Sequence, residues 1–75
     1  MKVTRREFRE SEEVGSAGYY VDSPAKDTAE VEHEGATYLI QKEACGRLLV
    51  LGPDGFVDSS DLVVRLYSAV DDWRL

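Results

Sequence analysis

Cys45 is the only cysteine in this 75-residue chain, and His33 is the only histidine. Chains this short commonly lean on disulfides or a structural metal, because a small core supplies little stability. Here no internal disulfide can form and no Cys/His zinc cluster can be assembled. The fold must therefore rest on one unstapled apolar core, with partner binding available to add stability. A chain of this length buries about 60% of its unfolded surface and has room for one domain, spanning residues 1–75. Its twenty-five large apolar residues are enough for one small core. The missing staples fit a reducing compartment. The longest apolar run, Leu48-Leu49-Val50-Leu51, is far short of the ~20 residues of a membrane span. Basic residues 1–6 have no apolar stretch behind them, so no signal peptide is expected. A cytoplasmic chain without a membrane partner is the expectation.

The clearest element is the last. Leu62, Leu66, Ala69, Val70 and Trp73 form one stripe of a 3.6-residue helix over residues 61–73. Asp58, Ser59, Ser60 and Asp61 offer N-cap acceptors and place carboxylates at the positive end of the dipole. Asp61 and Arg65 stand at i, i+4 in the favourable order. Upstream, residues 30–33 alternate polar and apolar, Glu34-Gly35 suits a two-residue turn, and residues 36–41 are rich in β-formers, which together read as a hairpin. A polar connection over 41–46 follows. The continuous apolar run over 47–51 is the pattern of a strand covered on both faces. Gly52-Pro53-Asp54-Gly55 is a strong turn signal, and Phe56-Val57 returns as a short strand.

The first third is harder to read. Thr4-Arg5-Arg6-Glu7 matches a capping box, and a helix over 5–14 would pair Arg6 with Glu10 and Arg9 with Glu13. The rival is a strand over 2–9 hairpinned onto 18–21; the helix is preferred. Gly15-Ser16-Ala17-Gly18 breaks that element, and residues 22–27, with Pro24, read as a loop. The expected fold is thus α+β, a small antiparallel meander of three to five strands packed against an amphipathic C-terminal helix, with a short N-terminal helix.

Catalytic chemistry finds little support. His33 and Cys45 are the one nucleophile–base combination available, but His33 reads as a polar hairpin residue and Cys45 as a turn or core residue. No Gly-x-Ser-x-Gly elbow, phosphate-binding loop or His-Glu-x-x-His occurs. Asp54, Asp58 and Asp61 supply oxygens of the kind Ca²⁺ or Mg²⁺ takes, yet the EF-hand pattern is absent and the last two already serve the helix start. No enzyme activity, cofactor or metal is expected.

Charge is more informative. Residues 1–10 carry four bases and two acids, whereas residues 11–75 carry five bases and thirteen acids. Glu30, Glu32 and Glu34 alternate along one strand and so share a face; Asp27 precedes them, and Asp54 and Asp58 gather near the helix start. Spaced carboxylates imitate nucleic-acid phosphates and steer toward a basic groove. The same acidic body argues against direct nucleic-acid binding, and no nucleic-acid-binding motif is present. Tyr19 and Tyr67 are candidate docking aromatics. In size, acidity and absence of catalytic motifs the chain resembles small inhibitor proteins of phages and mobile elements, anti-CRISPR proteins among them, and immunity or antitoxin proteins; the likeness is one of class, without a shared motif. The resulting expectation is a non-enzymatic binding module. Its partner would be a basic nucleic-acid-handling protein met by Asp27, Glu30, Glu32, Glu34, Asp54, Asp58, Tyr19 and Tyr67. The alternative is a small subunit or homodimeric regulator that docks through an apolar or aromatic patch.

Overall fold

Antiparallel pairing organises nearly the whole chain. The computed structural model describes residues 1–16 and 19–75, with side chains described outside residues 12–23. In chain order the elements are β1 (Lys2–Arg9), β2 (Glu12–Ser16), β3 (Tyr19–Ser23), β4 (Lys26–His33), β5 (Ala36–Glu43), β6 (Leu48–Gly52), β7 (Gly55–Phe56) and α1 (Ser60–Ser68). A five-stranded sheet has the order β1-β4-β5-β6-β7, and β2 pairs with β3. The architecture is mostly β, with one C-terminal helix laid on one face of the sheet. Burial along β4 shows why: Asp27, Ala29 and Val31 are buried while their neighbours are not, the period of a strand with one covered face. Ala29, Val31, Ile40 and Val50 from the sheet meet Leu66 and Val70, and these six are the core.

The N-terminal helix expected over residues 5–14 is not formed. Lys2–Arg9 is a strand, as the rival reading had it, but it pairs with β4, from Lys2↔Glu32 to Arg9↔Lys26. A ladder to residues far along the chain outweighs the local capping box, whose contribution is only about 1 kcal/mol. Residues 22–27 are likewise not a loop, since Ser23 pairs with Glu12 in β3 and Lys26 opens β4. Two residues on each side, Glu10-Ser11 and Pro24-Ala25, interrupt the ladder, and pairing resumes beyond them without a change of offset. Pro24 has no N–H to give to a ladder, which accounts for the gap at that point. The paired segments from residue 2 to residue 16 span roughly 50 Å of extended chain, matching the 49 Å longest dimension. The radius of gyration, 14.4 Å, accordingly exceeds the ~11 Å of a compact chain this long.

The Glu34-Gly35 turn is formed as expected, with His33 paired to Ala36 on either side of it. Both central residues have positive φ, 52° at Glu34 and 77° at Gly35, as a type I′ hairpin turn requires. Glycine meets that demand without strain, whereas glutamate does not. Glu34→Asn is therefore expected to stabilise the protein by about 0.5–1 kcal/mol, read as a rise of roughly 2–6 °C in the thermal midpoint.

The helix is shorter than its stripe. It runs from Ser60 to Ser68 with Ser59 as N-cap, and Ser59 makes no side-chain capping bond. Asp61 contributes to the first turn by its charge, but among the described residues its expected pairing with Arg65 is not formed. Leu62, Leu66, Ala69, Val70 and Trp73 all still belong to the core or pack on it; Ala69 does so as the helix C-cap, and Val70 and Trp73 from beyond the helix. Asp71 and Asp72 sit unfavourably at the negative end of a helix dipole. The Trp73 indole N–H instead donates to the Tyr67 carbonyl at 3.0 Å, satisfying one of the acceptors a helix end leaves open.

Candidate functional site

The two faces of the sheet have different chemistry. On the helix side, Asp27 is 1% exposed, and its carboxylate takes an ion pair from Arg6 at 3.0 Å and a hydrogen bond from the Arg74 backbone N–H at 2.7 Å. Arg6 also donates to the Thr28 carbonyl at 3.0 Å, and its guanidinium lies 4.5 Å from the Trp73 ring centre. Its Nε stands 3.0 Å from Asp72 Oδ1, a charge contact without hydrogen-bond alignment. Arg74 in turn covers the Phe8 ring at 4.0 Å. These contacts fasten the C-terminal tail across β1 and β4.

Asp27, expected on an acidic surface, is thus an interior group: it falls on the inward phase of β4, and Arg6 supplies its counter-charge. Tyr67 is also engaged on this side. Its hydroxyl accepts from Lys42 Nζ at 2.8 Å, and its ring stacks on Trp73 with centres 5.2 Å apart. The side chain of Tyr19 falls outside the described residues.

Among the described residues no helix lies on the other face of the sheet. Strand register brings Arg5, Glu30, Leu39, Leu51 and Phe56 into one row across all five strands. The next row is Glu7, Thr28, Gln41 and Leu49. Leu51 is 42% exposed and Phe56 74%, while Leu39 and Leu49 are half-buried. Small Thr28 leaves a hollow of ≈ 220 Å³ between Arg5, Glu7, Glu30 and Leu39. Glu30 and Glu32 do share this outward face, but Glu30 pairs across to Arg5 and Glu32 to Lys2. Arg5 also holds Glu7 at 3.3 Å. The bases of the N-terminal segment and the glutamates of β4, read apart in the sequence, are lateral neighbours.

Glu34 lies beyond this row, exposed in the turn, while Asp54 occupies the β6–β7 turn and Asp58 the segment before α1, both exposed. His33 and Cys45 flank opposite ends of β5, roughly 25 Å apart, so they cannot act together. Among the described residues no group of three or more His, Cys, Asp or Glu is placed to hold a metal ion, and no helix is long and apolar enough to cross a membrane.

The residues that sequence reasoning missed are Leu39, Leu49, Leu51 and Phe56. For Leu49 and Leu51 the signal was present in the apolar run over 48–51, which anticipated a strand covered on both faces. In this chain Leu48 and Val50 are packed with the core, and Leu49 and Leu51 point the other way, with no helix among the described residues over them.

No protein-family model matches the chain, and neither a curated protein nor a solved structure matches it significantly.

Proposed function

We propose that the chain is a non-enzymatic protein-binding module that docks through the helix-free face of its sheet. The carrying observation is the two-sided apolar character of β6 in a sheet that the described residues cover on one face. A strand apolar on both sides is ordinarily buried on both sides, and a cluster of exposed leucine and phenylalanine rimmed by charges is the usual composition of an interaction surface. The acidic-inhibitor reading draws less support. Arg5 and Lys2 stand opposite Glu30 and Glu32, which leaves Glu34, Asp54 and Asp58 as its main anionic anchors.

A comparative capture experiment tests this choice. Immobilised wild-type chain, a Leu51→Asp/Phe56→Asp variant and a Glu34→Lys/Asp54→Lys/Asp58→Lys variant are exposed to lysate of the source cells. The same proteins are expected on the wild-type and lysine-substituted baits and not on the aspartate-substituted one. Retention is expected to persist at ~1 M salt, where the screening length falls to about 3 Å. Capture lost on the lysine bait and kept on the aspartate bait would transfer the function to the acidic surface.

A further inference from the structure

We infer that the occupant of the helix-free face is a second copy of this chain, stacked face to face about a two-fold axis; this rests on the reading of that face as a docking surface. The row Arg6, Ala29, Ile40 and Val50, in register across four strands, defines where the axis would lie. A two-fold parallel to that row exchanges the outward residues on either side of it, as a self-complementary interface must. Arg5 then faces the partner copy's Glu7, and Glu7 its Arg5. Lys26 faces Glu32 and Glu32 faces Lys26. Leu49 meets Leu51, and Glu30 meets the hydroxyl of Thr28. Two pairs of charges, Arg5 with Glu7 and Lys26 with Glu32, are thus of opposite sign at equal distances from one line, while the apolar positions of β6 map onto themselves. One like-charged meeting arises, Lys2 with Arg9, and it falls on the edge strand β1 where solvent screens it.

Strand spacing and rise give the face roughly 500 Å² per copy, hence about 1,000 Å² in total, the lower bound for a specific interface. Two such faces stacked ~10 Å apart make an ordinary two-sheet sandwich. They would cover Leu39, Leu49 and Leu51, the residues this chain leaves open.

Sedimentation equilibrium of the full chain tests the inference. The wild type is expected to dimerise in the micromolar range, as suits an interface of about this size. Each contact occurs twice across a two-fold, so Lys26→Glu and Glu32→Lys are each expected to weaken the dimer about tenfold. Leu51→Asp is expected to weaken it at least about a hundredfold by placing charge in the apolar centre. Lys26 and Glu32 stand about 20 Å apart on one strand and do not meet within a copy. Combining Lys26→Glu with Glu32→Lys is therefore expected to restore the dimer to within about threefold of wild type. Circular dichroism of each variant separates lost association from lost folding.

A wild type that stays monomeric up to ~1 mM overturns the second copy as occupant, as does a double variant weaker than either single one. If a different protein is then captured in a Leu51-dependent way, the docking surface stands without the homodimer. A dimer indifferent to Leu51→Asp overturns the face-to-face arrangement.

Discussion

Asp27→Ala is expected to cost about 3 kcal/mol of folding stability, the lower part of the range for removing one partner of a buried ion pair. The lower part applies because the Arg6 side chain is 23% exposed and so keeps some access to water once its partner is gone. The substitution also strips an acceptor from the Arg74 N–H and loosens the tail that carries Trp73 onto the core. A domain of this size has about 4–11 kcal/mol in total, so the loss is a large share. Arg6→Met is expected to cost at least as much, because it leaves the carboxylate of Asp27 buried with only the Arg74 amide for company. Combining Arg6→Met with Asp27→Leu should recover much of the loss, since neither charge then has to be desolvated. Urea unfolding of the four proteins gives the cycle and the coupling energy directly. A single-variant cost below ~1 kcal/mol would place Asp27 in water and contradict the structure.

This pair also shows where the sequence misleads. Period-two alternation is readable where inward positions are apolar, as at Val31, Tyr38 and Ile40, and there the hairpin was legible down to its Glu34-Gly35 turn. The Gly52-Pro53-Asp54-Gly55 turn and the apolar stripe of the C-terminal segment were legible for the same local reasons. In β1 an inward position is filled by Arg6, because its neutralising partner Asp27 lies twenty-one residues on. With the apolar phase broken, the i, i+4 charge pairs and the capping box made a helix look better than the strand. Asp27 looked like one more surface acid for the complementary reason. The early stop of the helix had a local signal in Asp71-Asp72, which sit badly at the negative end of a helix dipole, but the continuing apolar stripe to Trp73 masked it. Of the candidate site, the leucines of β6 were visible as a two-sided apolar run. What the sequence could not say is that the single helix covers one face only, because element count becomes coverage only once the sheet order is known. The acidic row is a different case. Glu30 and Glu32 were placed on one face correctly, but the bases that stand opposite them, Arg5 and Lys2, are brought there by the β1–β4 register, which has no local signature.

Leu66→Ala is expected to cost about 3 kcal/mol, within the range of roughly 2–5 kcal/mol for deleting a buried leucine. Leu66 is 0% exposed and is the one fully buried side chain contributed by α1. It bears on Ala29, Val31, Ile40 and Val50, the inward residues of three strands, and the sheet's hydrogen-bond ladders hold those strands at fixed spacing, so the cavity cannot readily collapse. Val64→Ala is the informative control, because Val64 is on the same helix and 61% exposed. It should change stability by less than ~0.5 kcal/mol, with alanine's better helix propensity offsetting the small loss of contact. Measured by urea unfolding, the two variants should differ by at least about 2 kcal/mol while sharing one m-value, since the same surface is exposed on unfolding. If the two costs came out equal, the helix would be packing by a different face. Val64 rather than Leu66 would then point at the sheet, and the core formed with Ile40 and Val50 would have to be redrawn.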